Sequence, residues 1–233
     1  AVTIHKYVAI LNAKYKTNNV ALIPHGSFET PKNVSFDLPV GSKKVMAFGK
    51  FGTYKKVEIL IDAVELIRQT NNEPIEIVIA GTDSPNTPGY LQSVKEKYAH
   101  VEGITFTGYV EENDVERIFT ESAIVAFPYT STTGSSGVLH QAGSYGKAVV
   151  IPDLGDLALL VQDEGYKGEF FNPESASSLA KAISTILDDD NYRRLVAETN
   201  YKAACALSMD KIVEMYIEKF KEIEMHKTGK SLV

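Results

Sequence analysis

The stretch AIVAFPYTSTTGSSGVLHQAGSYGKAVVI, residues 123–151, holds the plan of the whole chain. Its ends, AIVAF and AVVI, are short apolar runs rich in β-branched residues, the pattern of strands buried on both faces. Between them, Thr130 to Gly137 consists only of hydroxyl residues and glycines. A connection between neighbouring elements needs fewer residues than this, and no local fold requires such a composition. With a helix beginning near Ser136, the stretch reads as strand, glycine loop, helix and strand, the building unit of a parallel sheet.

The same alternation extends to both sides. VMAF at 45, IEIVIA at 75, ITFT at 104 and EFF at 169 are further strand-like runs, with amphipathic patterns between them. Val57, Leu60, Val64 and Ile67 share one helical stripe, as do Leu179, Ile183, Ile186 and Leu187. The spacing predicts an α/β domain, a doubly wound parallel sheet of about six strands covered on both faces. Beyond Ser175 the pattern is helix after helix. The last helix carries Ile212, Tyr216, Phe220 and Ile223 with Ser208 as its N-cap, so a helical tail is expected to close the fold. Asp188, Asp189 and Asp190 read as a solvated turn between helices.

Charge and length exclude several classes of function. A formal net charge of −6 argues against general nucleic-acid binding, which depends on lysine and arginine releasing counterions. No apolar run approaches the roughly 18–20 residues that cross a bilayer, and the start lacks the pattern of a signal peptide. The single cysteine, Cys205, reads as a small packed helical residue and fits a reducing, cytoplasmic setting. The sequence starts at Ala1 and runs at once into the helical VTIHKYVAILNAKY, which reads as a chain cut from something longer. Residues 1–19 are then the remnant of a linker or preceding domain, and residues 20–233 the domain itself.

In open α/β sheets ligands bind outside the carboxyl ends of the strands. Two loops there carry chemistry. After VMAF comes Gly49-Lys50-Phe51-Gly52-Thr53-Tyr54-Lys55-Lys56; from Leu38 to Val57 there are five lysines and no acid. Lys55 and Lys56 precede a helix, whose positive N-terminal pole repels them by roughly 0.3–1 kcal/mol each unless an anion is bound. The second loop is Gly134-Ser135-Ser136-Gly137, whose backbone N–H groups would meet an anion at a helix N-terminus. Together the two loops point to a diphosphate held between them.

Other motifs fail on spacing. No Gly-x-Gly-x-x-Gly turn follows a strand, GSYGKAV has Ala148 where a P-loop needs Ser or Thr, and TGSSGV lacks the spacing of a nucleophile elbow. The five histidines are scattered, so no zinc site is implied. His25, with Gly26, lies at an expected strand end near the same edge, whereas His140 reads as packed or solvated rather than catalytic.

These segments resemble the retaining glycosyltransferases of the GT-B architecture, most closely the large family 4, over Val20 to about Leu187. ALIPHGSFE is similar to the family's entry strand and loop. FGKFGTYKKVEILIDAVELI is similar to its phosphate loop, ITFTGYVEENDVERIFTESAIVAFPY to its base-contact segment, and the opening stretch to its signature loop and helix. GEFFNPESASSLAKAI is similar to the late strand and helix. The resemblance implies a Rossmann-like domain, one half of a GT-B fold. It implies a nucleotide diphosphate sugar as donor substrate, with no cofactor or metal, and an acceptor-binding N-terminal domain as partner.

By the resemblance, Lys50 and Lys55 meet the donor diphosphate, together with Gly134, Ser135, Ser136 and Gly137. Gly108, Tyr109 and Val110 meet the base. The family's two signature glutamates fall on Thr133 and Gln141, at the donor sugar or ribose. Gln141 can bond a ribose hydroxyl, but Thr133 supplies no carboxylate, and catalytic groups are expected on the partner domain. The isolated domain is expected to be inactive. The loss of both glutamates leaves a non-catalytic nucleotide-binding or interaction module as the alternative, and an epimerase or phosphorylase of the same architecture as another.

Overall fold

The computed structural model describes residues 1–27, 32–70, 74–131, 134 and 136–228, with side chains to residue 225. Its first elements are α1 (Lys6–Tyr15), β1 (Lys43–Phe51), α2 (Val57–Thr70), β2 (Ile75–Asp83), α3 (Tyr90–Lys97), β3 (Ile104–Gly108) and α4 (Glu112–Thr120). There follow β4 (Ile124–Ala126), α5 (Gly137–Ser144), β5 (Ala148–Pro152), α6 (Gly155–Asp163) and β6 (Glu169–Phe171). The chain ends in α7 (Ala176–Leu187), α8 (Asp190–Ala206) and α9 (Met209–Thr228). Each of the six apolar runs read from the sequence is a strand.

The six strands form one parallel sheet in the order β3-β2-β1-β4-β5-β6. The chain builds outward from β1 to β3, then returns to lay β4 against the free side of β1. That reversal is the topological switch point of a doubly wound sheet, and it opens a crevice above the carboxyl ends of β1 and β4.

Alternation along β1 divides the interior in two. Val45, Ala47 and Phe51 face a core shared with α2, α3 and α7; Met46 faces one shared with α4, α5 and α6. Both expected helical stripes are buried: Val57, Leu60, Val64 and Ile67 on α2, and Leu179, Ile183, Ile186 and Leu187 on α7. Ser175 caps α7 by accepting from Ser178 N at 3.2 Å, and Asp189 caps α8 by accepting from Tyr192 N at 3.0 Å, worth about 1 kcal/mol each. The aspartate triplet is therefore the cap-to-cap joint of two helices, with Asp190 also paired to Arg193.

Three expectations change. The five lysines of the basic stretch do not cluster, because Lys43 and Lys44 start β1 and reach Leu187 O and Glu121 at the opposite end of the sheet. The entry segment ALIPHG forms only an isolated bridge, Leu22 to Val2, among the described residues. Among the described side chains of α9 only Ile212 is buried, while Tyr216, Phe220 and Ile223 are exposed.

Candidate functional site

The two loops singled out by composition meet. After β1, Gly52 N donates to Lys55 O, and the loop is then stitched to the segment after β4. Lys56 N donates to Pro128 O, Thr130 N donates to Tyr54 O at 2.8 Å, and Lys55 faces Tyr129 in an antiparallel bridge. Backbone pairing thus carries Lys55 from the β1 side of the switch point to the β4 side.

There its ammonium lies 4.9 Å from the centroid of the Tyr129 ring and 5.9 Å from that of Tyr54. Among the described residues it has no carboxylate and no hydrogen-bond acceptor. Burial lowers its pKa from 10.5 to about 8. The tight approach depends on Gly49, since a Cβ there would stand 2.7 Å from Lys55 Nζ and 3.9 Å from Val138 Cγ2 on α5. Lys50, by contrast, is exposed at the end of β1, opposite Thr82 of β2.

The helix after the glycine loop begins at Gly137, with Ser136 as an extended N-cap residue. Ser136 is buried and its hydroxyl does not cap the helix. The N–H groups of Gly137 and Val138 find no partner among the described residues, and α5 has no acid in its first turn. A helix N-terminus in this state presents unfilled donors and the positive pole of the macrodipole. Gly134, at φ +106°, is pressed against Ile4: a Cβ on it would lie 2.5 Å from Ile4 Cδ1. Thr133 and Ser135 fall outside the described residues.

His25 borders the same turn, with Cε1 3.9 Å from where a Cβ on Gly137 would stand. Its Nδ1 lies 2.9 Å from Gly26 O; a carbonyl only accepts, so Nδ1 carries a proton and Nε2 points elsewhere. Gly26 itself packs against Ile212 and Met209 of α9. Gln141 is one turn along α5 from Gly137, half-buried, its side-chain amide unpartnered among the described residues. Gly108 pairs with Gly81 at the end of β3, Tyr109 is 72% exposed, and Val110 packs against the second core.

Sequence reasoning missed the aromatic floor under Lys55, since Tyr54 and Tyr129 signal nothing until the loops are joined. It also missed what lies behind His140. That ring is fully buried and stacks on His25, with centroids 4.8 Å apart. Its other neighbours are Tyr166 and Glu164. A third omission is the contact of Lys6 and Tyr7 with Asp156 in the first turn of α6, which ties the N-terminal segment to the rim of the glycine loop.

A parallel sheet in this order, with a desolvated cation and an uncapped helix at its switch point, defines a Rossmann-like domain with an anion-receptive crevice. The chain belongs to the glycosyl transferases group 1 family, whose model matches residues 42–189. It is 28% identical over 165 residues to the D-inositol 3-phosphate glycosyltransferase of Corynebacterium glutamicum (strain R), a match covering 69% of this chain and 39% of that protein. The chain spans well under half the length of the curated relatives it matches.

Two solved structures share the fold. Anabaena Alr3699/HepE, in complex with UDP and glucose, superposes with a TM-score of 0.67 at 18% identity, over 94% of this chain and 52% of the other. A glycosyltransferase from Rickettsia africae ESF-5 superposes with a TM-score of 0.75 at 17% identity, over 95% and 62%. Family and fold together are those of a GT-B glycosyltransferase domain. No helix among the described residues is long and apolar enough to cross a membrane.

Proposed function

We propose that this chain is the donor-binding half of a retaining, family 4 glycosyltransferase and takes a nucleotide diphosphate sugar as its substrate. The observation that carries the reading is Lys55, a half-buried ammonium without a counter-ion among the described residues, placed beside the uncapped start of α5. A diphosphate between them supplies the missing anion to both.

In this reading Lys55, the N–H groups of Gly137 and Val138, and the Gly134–Ser136 turn hold the β-phosphate, with Lys50 completing the charge from the rim. Gln141 meets the ribose, Thr133 the donor sugar, and the backbone of Gly108, Tyr109 and Val110 the base. His25 borders the phosphates. During transfer the bond from the anomeric carbon to the β-phosphate oxygen breaks, one to the acceptor oxygen forms, and the acceptor hydroxyl's proton leaves with the nucleoside diphosphate. Negative charge grows on the departing nucleoside diphosphate, where a fixed cation and fixed N–H dipoles stabilise it more than they stabilise the bound donor. The acceptor and the remaining catalytic groups belong to an N-terminal domain that this chain does not include. No cofactor takes part.

Calorimetric titration with UDP, GDP and ADP against their monophosphates tests the proposal. At least one diphosphate should bind tenfold or more tightly than its monophosphate. Equal affinities within every pair would refute it.

A further inference from the structure

Behind the glycine turn lies a cluster of ionisable groups that donor binding does not use. His140, on α5, is enclosed with Glu164, the C-cap residue that follows α6; their side chains are 1% and 5% exposed. His140 Nδ1 is 2.9 Å from Tyr166 Oη, and His140 Nε2 is 3.6 Å from Glu164 Oε2. His140 Nε2 and both carboxyl oxygens of Glu164 are buried without hydrogen-bond partners. The His25 ring covers the face of His140 at an interplanar angle of 15°.

Few protonation states suit this enclosure. An ionised Glu164 would leave a carboxylate in the core with neither oxygen satisfied, at a cost of several kcal/mol. An imidazolium at His140 would lie flat against His25. A neutral carboxylic acid turned toward a neutral imidazole avoids both buried charges with one proton: Oε2–H faces the lone pair of Nε2 across 3.6 Å, while Nδ1–H donates to Tyr166 Oη. Burial acts in this sense on both partners, raising Glu164 to about 8 and lowering His140 to about 3. The other groups facing the cluster agree. Asp163 raises Glu164 further, Cys205 and Glu164 raise Tyr166, and His25 lowers His140. From α8, Asn200 is uncharged and already bound to Lys147 O and Lys167 N.

We infer that Glu164 is a positioning residue for the crevice: as a neutral acid turned toward His140 Nε2 it holds that ring uncharged, and so fixes the neutral, Nδ1-protonated face on which His25 stacks at the start of α5. The inference rests on the donor-binding reading for its consequence, but its first half concerns the ligand-free protein alone.

The test therefore has two arms. In the first, nitrogen-15 NMR of the ligand-free chain should show His140 neutral, with its proton on Nδ1, from pH 5 to pH 7. An imidazolium appearing near pH 6.5, or a proton on Nε2, would overturn the inference whether or not the protein binds nucleotide. In the second arm UDP affinity is compared among Glu164 variants. Glu164→Gln keeps a donor and should stay within about twofold of the parent, while Glu164→Leu should weaken binding tenfold or more. In a His25→Gln background Glu164→Leu should change nothing further. An undiminished loss in that background would mean a structural effect only and would overturn the inference. Should Glu164→Leu fail to fold, Glu164→Gln and the spectra still decide. Should UDP not bind at all, the donor reading falls while the first arm still judges the stack.

Discussion

Two lysines, Lys147 buried and Lys55 half-buried, show how the same residue serves the fold in one place and the crevice in another. Lys147 precedes β5, and Lys55 follows β1. Burial lowers both from 10.5 to about 8, with Arg193 adding to the effect on Lys147. Lys147 donates to Thr120 O at 3.0 Å, the last carbonyl of α4, and so satisfies the negative end of a helix. Lys55 meets only the faces of two tyrosines. Both charges cost stability on the order of 3 kcal/mol while they persist. Lys147 offsets part of that by completing a helix, whereas Lys55 leaves its share to be recovered by a ligand.

Replacing each lysine by methionine should separate the two roles. Lys55→Met should weaken nucleoside diphosphate binding by roughly 1.5–3 kcal/mol, the scale of a hydrogen bond to a charged group, and raise ligand-free stability by up to about 2 kcal/mol. Lys147→Met should leave affinity unchanged. Its gain from removing the charge should be offset by the orphaned Thr120 carbonyl, worth about 1–3 kcal/mol, so it should be less stable than Lys55→Met. Chemical denaturation with and without UDP reads both quantities. Equal stabilities and equal affinities in the two variants would erase the distinction.

The pH dependence of stability gives the next largest effect and isolates the carboxyl group behind the glycine turn. Glu164 binds its proton up to about pH 8 folded but only to about 4.5 unfolded, so its contribution falls as pH rises through that window. His140 acts oppositely between about 3 and 6.5. The two slopes cancel from pH 4.5 to 6.5. Above 6.5 Glu164 alone remains, lowering stability by roughly 2 kcal/mol by pH 8. The lysines are silent there, because their folded-state values of about 8 lie below the unfolded 10.5 and their cost fades only above pH 8. Denaturation midpoints at pH 6.5 and 8 should differ in the parent and converge in Glu164→Gln. A slope that survives in that variant would remove Glu164 as its source.

The smallest expected effect is at Gln141. Gln141→Leu should weaken nucleotide binding by about 1 kcal/mol, and Gln141→Glu should retain or improve it, since a carboxylate accepts from both ribose hydroxyls. A leucine variant that titrates like the parent would place Gln141 outside the crevice.

The strands and most helices were legible because apolar periodicity reports burial directly. The runs at 45, 75, 104, 123, 148 and 169 have no polar face to expose, and α2 and α7 carry their stripes at helical spacing. The stripe on α9 misled, since Tyr216, Phe220 and Ile223 have the right spacing but remain exposed. The candidate site was legible where one residue type sufficed, as with the glycines of the turn. It was not legible where function depends on pairing across the sheet. Five lysines close in sequence belong to opposite ends of β1, and only the bridge to Tyr129 shows which of them is held against the tyrosine rings at the crevice. Glu164 could not have been found, because a glutamate ending a helix ordinarily points to water.

Whether Lys55 meets a β-phosphate shows in the ratio of UDP to UMP affinity in the parent and in Lys55→Met, measured by titration calorimetry at pH 7. The parent should prefer UDP by tenfold or more, and the variant should bring that ratio close to one while binding UMP nearly as well as before. A variant that keeps the full preference for the diphosphate would contradict the account.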